Sequence, residues 1–246
     1  MTGTKSGIES HLLGLHALAR ENITSAVEAS GADLGRLLQL DLDILCWEQR
    51  LLPRPEVDQL TAARRELGFA IYAVGSGLYL HAYAGLRLFL ELGFASVYFS
   101  ANELYRRKWI ADRKDFSWSK ALDENDGVMA QSFIREFSET AAVDAPRFAR
   151  DAATSYRHCS QFIHGKLAVT SSLPSALAFS SMVLSDWLAA ATDSARSLLF
   201  LLYARYGDEL LPHDSDGRLA STIEFWFGHL REVRKRLGLP IEPGSN

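Results

Sequence analysis

The fold is decided by an apolar stretch at residues 67–86, which reads Leu-Gly-Phe-Ala-Ile-Tyr-Ala-Val-Gly-Ser-Gly-Leu-Tyr-Leu-His-Ala-Tyr-Ala-Gly-Leu. Its length is about that of a helix that crosses a bilayer. However, it contains His81 and runs directly into Arg87 and Glu91, and charged side chains are costly in lipid. A helix that is apolar on all sides usually lies in a protein interior. We therefore predict a buried helix here rather than a membrane span.

Residues 1–55, on the N-terminal side of this stretch, predict a helical hairpin. A first helix over residues 8–30 would end at Gly31, because glycine commonly terminates helices. A second helix would begin near Asp33, a preferred N-cap residue, and end before Pro53.

Residues 56–240 predict an all-α, multi-helix bundle, because helical periodicity continues and strand patterns are nearly absent. The apolar helix is expected to reach about residue 113, and a further helix is expected over residues 128–142. Pro146 and Pro174 should each open a helix, the second of them reaching about residue 206. A last helix is expected over residues 219–237, and residues 241–246 form a tail. The core is expected in residues 67–104 and 174–206, and the whole chain in one compact domain.

Composition limits the function classes. The formal net charge of −4 argues against a protein that coats nucleic acid through its global field, so any RNA contact must be local. Cys46 and Cys159 form neither a disulfide framework nor a zinc motif, and the polar first residues lack a signal sequence, so we expect a cytoplasmic protein. Motifs for metals or nucleoside triphosphates are absent, so no metal or cofactor is expected.

The chemistry is indicated by residues 156–166, which read Tyr-Arg-His-Cys-Ser-Gln-Phe-Ile-His-Gly-Lys. In a helix, Arg157, Ser160 and His164 fall at i, i+3 and i+7 and share one face. A guanidinium binds phosphate oxygens through a planar fork, and an imidazole moves protons near neutral pH. This combination indicates chemistry on a phosphodiester.

The spacing of Arg157 and His164 resembles the Arg-x4–6-His signature of the HEPN superfamily. Those proteins are small all-α domains, many of them metal-independent endoribonucleases of prokaryotic defence and toxin systems. His158 occupies the place of the polar residue that often follows the arginine, and residues 160–165 are similar to a subset of HEPN-like defence proteins. The resemblance implies that Arg157 and His164 are catalytic. It also implies a homodimer in which the two motifs face each other.

Other residues have supporting roles in this hypothesis. His158 and Ser160 would position the phosphate or protonate the leaving oxygen, and Lys166 would be a weaker phosphate contact. Glu91 has two interpretations, because its i, i+4 spacing from Arg87 also allows an ion pair that fixes helix register. In the second interpretation, Glu91 orients Arg157 or His164 from a neighbouring helix.

A second candidate surface lies at residues 105–118, where basic and aromatic residues alternate. Aromatic rings can stack on unpaired bases while cations hold the phosphate backbone. The same aromatic residues could instead be packing anchors at a helix end. The candidate RNA contacts are Arg106, Arg107, Lys108, Trp109, Arg113 and Lys114.

These patterns favour a metal-independent endoribonuclease of an anti-phage defence system that attacks RNA through the ribose 2′-hydroxyl. Its partners would be RNA, a second copy of the chain and a protein of the same defence operon. The alternative is a non-catalytic helical subunit that binds RNA or protein in a defence complex. A membrane-associated helical protein is a third interpretation.

Overall fold

The computed structural model describes the backbone of residues 2–241 and the side chains of residues 7–241. This part of the chain is all-helical and contains no strand, which confirms the predicted fold class. Of the predicted tail, residues 242–246 lie outside the described residues. The helices are α1 (Thr2–Leu51), α2 (Val57–Gly75), α3 (Tyr79–Ala101), α4 (Glu103–Ile110), α5 (Trp118–Ala121), α6 (Gln131–Arg135), α7 (Ala145–Ile163), α8 (Leu167–Thr170), α9 (Ser181–Leu210), α10 (Arg218–Phe227) and α11 (Arg231–Leu237).

The predicted N-terminal hairpin is wrong, because its two helices are joined end to end in α1. Ser30, with φ −143° and ψ 30°, is the non-helical residue where the two parts meet across a kink, close to the predicted stop at Gly31. Both parts lie against α2 or its C-terminal turn: Asn22 donates to the carbonyl of Ser76 at 3.0 Å, and Asp41 accepts from Arg64 at 2.9 Å. A hairpin needs a connecting loop, and a single kinked residue does not supply one.

The apolar stretch at residues 67–86 is divided between two helices rather than forming one. α2 ends at Gly75, and α3 begins at Tyr79 after a turn in which Gly77 has φ +83°. The two helices pack closely, and a Cβ added at Gly85 would lie 3.0 Å from the Cβ of Ala70. Among the described residues, no helix is both long enough and apolar enough to cross a membrane.

Four further helices differ from prediction. Residues 128–142 form only α6 and a 3-10 turn, because Val128 donates its backbone N–H to Ala121 and so stays bound to α5. α9 begins at Ser181 rather than near Pro174, since the Ser180 hydroxyl accepts from the N–H of Val183 and caps it. The long helix expected to reach residue 113 ends at 101 and is followed by α4, and the last predicted helix is split into α10 and α11.

The core is built around α3 and α9. α3 lies within the predicted core segment 67–104, whereas α9 begins within the predicted segment 174–206 and ends beyond it at Leu210. α1, α2 and α7 cover these two helices, and one contiguous cluster of buried side chains extends from Ala26 to Val233. The largest fully buried side chains include Trp47 of α1, Tyr83 of α3 and Trp187 of α9. This packing leaves one face of α7 buried and the other exposed.

We expect Gly77→Ala to lower the free energy of unfolding by about 1–3 kcal/mol. An alanine there must hold a positive φ, and its Cβ would lie 2.8 Å from Nδ2 of Asn22. Gly68→Ala is the matched control, because Gly68 lies inside α2 with no atom within 4 Å of the added Cβ. That change should stabilise the protein by about 0.5–1 kcal/mol. Urea unfolding followed by circular dichroism measures the free energy of unfolding of both variants. Equal changes in that free energy would contradict the prediction.

Candidate functional site

The candidate site lies on the exposed face of α7. Pro146 occupies the first turn of this helix, as predicted, because its fixed φ suits a helix start. The helix is amphipathic, and its buried face packs against α3 and α9 through Phe148, Ala152, Ser155, Cys159 and Phe162. It ends at Ile163, and Gly165 follows with φ +62°, a left-handed conformation that glycine adopts without strain.

Arg157 on α7 and His164, which directly follows the last residue of α7, are both exposed. Neither side chain makes a hydrogen bond or ion pair with another residue that the structure describes. Ser160, between them, is half-buried, and Lys166 is exposed beyond the helix end. Seven helical residues correspond to about 10.5 Å along the axis, so Arg157 and His164 occupy one stripe without touching. Their cationic and titratable groups are available for an external ligand.

His158 has a different environment from the other residues of the motif. Its Nε2 lies 2.6 Å from Oδ2 of Asp186 on α9, and the same oxygen accepts from the hydroxyl of Tyr83 at 2.5 Å. The imidazole packs edge-on against the rings of Tyr83 and Phe162, which are stacked on each other with their ring centres 3.7 Å apart. Burial raises the pKa of Tyr83, and Asp186 raises it further, so the phenol remains a donor. Asp186 therefore fixes the orientation of the His158 ring.

Glu91 makes its contacts with Arg87 and Tyr156 rather than with Arg157 or His164. One oxygen of Glu91 lies 2.8 Å from Arg87 and accepts from the Tyr156 hydroxyl at 2.8 Å. Arg87 also donates to that hydroxyl at 2.5 Å and lies over the Tyr156 ring, which stacks on Trp118 at 4.2 Å. This geometry is that of an ion pair that joins α3 to α7, the first of the two interpretations of Glu91.

At residues 105–118, most of the basic and aromatic side chains contact other residues of the protein. Arg106 and Arg107 donate to Glu103, and these hydrogen bonds lower the pKa of Glu103 to about 2. The ring of Trp109 packs on Phe99 at 5.4 Å, and the ammonium of Lys114 lies 4.3 Å from the ring centre of Tyr105. The aromatic residues therefore act as packing anchors.

Lys108 and Arg113 complete that predicted RNA surface. Lys108 is half-buried and Arg113 is exposed, and neither forms a salt bridge with a described residue. They are the two predicted cations of this surface that remain open to a ligand. Among the described residues, no hydrogen bond or ion pair joins them to Arg157 or His164.

The buried thiol of Cys159 is a poor nucleophile. Its side chain is fully buried, and burial raises the pKa of the thiol to about 12. The thiolate is therefore negligible at neutral pH. Among the described residues, no group of three or more His, Cys, Asp or Glu side chains is arranged to hold a metal ion.

Sequence reasoning did not find Asp186 and Tyr83 as members of this site. Asp186 lies on α9, 28 positions along the chain from His158 on α7. No local spacing connects the two, because the contact depends on how α9 packs against α7. Comparisons with protein-family models, with curated proteins and with solved structures find no match to this chain.

Proposed function

We propose that this protein is a HEPN-type endoribonuclease of a prokaryotic defence system that cleaves RNA without a metal ion. The observation that carries the proposal is the stripe of Arg157, Ser160 and His164, whose arginine and imidazole are exposed and have no partner among the described residues. A solvent-facing arginine with a free fork suits a phosphodiester, and a nearby imidazole suits proton transfer.

His164 is the general base in the proposed reaction. It removes the proton from a ribose 2′-hydroxyl, and the 2′-oxygen forms a bond to phosphorus while the bond from phosphorus to the 5′-oxygen breaks. Arg157 stabilises the negative charge that develops on the non-bridging oxygens, and Ser160 donates to one of them. The departing 5′-oxygen takes a proton from a general acid. The products carry a 2′,3′-cyclic phosphate and a 5′-hydroxyl.

A homodimer explains where the general acid comes from. On one helix, His158 projects about 120° around the axis from His164, so the two imidazoles of one chain do not face the same side. A second copy that meets the stripe can place its own imidazole opposite His164. Symmetric contacts of this kind are the commonest solution among soluble oligomers. We therefore assign the active site to two chains packed through α7.

The second candidate function is a non-catalytic subunit of a defence complex, and the first part of α1 favours it. The side chains of residues 7–18 are all exposed, among them Ile8 and Leu12 at 59% and Leu13 at 60%. Exposed apolar side chains in such a row are typical of a surface that binds another protein. Under this alternative the α7 stripe binds RNA or protein without cleavage.

We expect the purified protein, with any activating partner supplied, to cut single-stranded RNA equally well with and without EDTA. A substrate with a 2′-deoxyribose at the cleaved position should resist, because the attacking hydroxyl is missing. Labelled products resolved by gel and mass spectrometry should end in a 2′,3′-cyclic phosphate. Cleavage of the matching DNA, or loss of cleavage in EDTA, would contradict the mechanism. If no RNA is cut, the non-catalytic alternative takes its place.

A further inference from the structure

A groove runs beside α7 on the same side as Arg157 and His164. It has a volume of about 750 Å³ and lies between the loop at residues 122–125, α6 and the first half of α7. The α7 wall of this groove includes Pro146, Arg150 and Ala153. These positions continue to Arg157 and His164 with spacings of three, four or seven residues, so all five share one helical stripe. Ala153 lies a single turn before Arg157, and the groove therefore leads directly into the proposed site.

Two arginine side chains at this groove are available to a ligand. Arg135 of α6 and Arg150 of α7 are exposed, and neither side chain forms a hydrogen bond or ion pair with another described residue. Other arginines of the protein do find carboxylates, as Arg106 does with Glu103. A free guanidinium fork is well suited to a phosphate, which accepts two parallel hydrogen bonds from it. The groove thus has two anchors for an anion.

The remaining walls suit the base of a nucleotide. Leu122, Met129 and Ala130 offer apolar surface for the face of a base. Asp123 accepts from the backbone N–H groups of Asn125 and Asp126 at 2.9 and 3.0 Å, and these bonds lower its pKa, so it is ionised at neutral pH. An ionised carboxylate accepts hydrogen bonds from the amino groups of bases.

We propose that this groove binds the nucleotide adjacent to the cleaved bond in single-stranded RNA, with Arg135 and Arg150 on its phosphate. The volume is within the range of sites that take a small organic ligand, and a nucleotide fits it. The placement beside Arg157 rests on the proposed nuclease function. Binding of RNA in the groove does not need cleavage, so the two proposals can fail separately.

The test is RNA binding by the His164→Ala protein, which leaves the substrate intact. Fluorescence anisotropy would follow a labelled single-stranded RNA about ten nucleotides long over a series of salt concentrations. Adding Arg135→Ala and Arg150→Ala should weaken binding about tenfold or more and reduce the salt slope by about two. The matched control is Arg65→Ala with Arg231→Ala in the same background, because both are exposed arginines outside the groove. It should change binding by less than about threefold.

A second variant tests the groove itself without changing charge. Ala153→Trp would fill the groove next to Arg157, so it should weaken RNA binding while leaving the salt slope unchanged. The proposal is overturned if the His164→Ala protein binds no RNA, or if neither the double arginine variant nor Ala153→Trp weakens binding beyond the control. If those variants do weaken binding while the wild-type protein cuts no RNA, the groove is supported and the nuclease function is rejected.

Discussion

We expect His164→Ala to lower the rate of RNA cleavage by about 10²–10⁴-fold, because it removes the general base. Arg157→Ala should cost about 10²–10³-fold, since it removes the charge that stabilises the phosphorane oxygens. Both side chains are exposed and have no partner in the part of the chain that the structure describes, so the free energy of unfolding should change by less than about 0.5 kcal/mol. Single-turnover rates on labelled RNA, with circular dichroism as a check on folding, measure these effects.

The matched control for this prediction is Arg231→Ala, because Arg231 is an exposed arginine of α11 outside both the stripe and the groove. It should leave the single-turnover rate at saturating RNA within about threefold of the wild type, because the change removes no group of the proposed site. A His164→Ala protein that cuts as fast as the wild type would remove the basis of the mechanism. The stripe would then be a binding surface only.

Mixing the two inactive variants distinguishes a shared site from a site within one chain. If each site takes Arg157 from one chain and His164 from the other, a dimer of one Arg157→Ala chain and one His164→Ala chain keeps one intact site. Random exchange of subunits should then restore roughly a quarter of the wild-type activity. Sites that take Arg157 and His164 from the same chain would stay inactive in every mixture, which would exclude a division of these two residues between the chains.

The largest expected effect on stability comes from Arg64→Met. Arg64 joins α1 to α2 through two hydrogen bonds to the carboxylate of Asp41, at 3.0 and 2.9 Å, and one to Glu48 at 2.8 Å. The three side chains are 17%, 19% and 9% exposed, so the removal of the cation leaves two poorly solvated carboxylates close together. We expect a loss of about 2–4 kcal/mol in the free energy of unfolding, measured by urea denaturation.

Arg65→Met is the matched control, because it makes the same chemical change one residue later. Arg65 is 62% exposed, and its one ion pair among the described residues is with its neighbour Glu66, at 3.1 Å. An exposed ion pair of this kind contributes at most about 1 kcal/mol, so the control should unfold close to the wild type. If Arg64→Met and Arg65→Met unfold at the same urea concentration, the Arg64 network does not hold α1 against α2.

The sequence by itself determined the features that depend on local spacing. Helical periodicity gave the all-α class, and the proline at position 146 marked the start of α7. The helix break in the N-terminal segment was placed at Gly31, one residue from the kink at Ser30. The shared stripe of Arg157, Ser160 and His164 follows from the period of the α-helix alone, because positions three, four and seven apart always share a face.

Only the tertiary structure decided where one helix ends and the next begins, and which polar groups of separate helices contact each other. The apolar stretch could be one helix or two by its composition, and the turn at Gly77 divides it so that α2 and α3 pack against each other. Likewise, His158 pairs with Asp186 and Glu91 with Tyr156, 28 and 65 positions away. Periodicity reports the neighbours of a residue on its own helix, whereas these partners depend on the packing of separate helices, which no local spacing encodes.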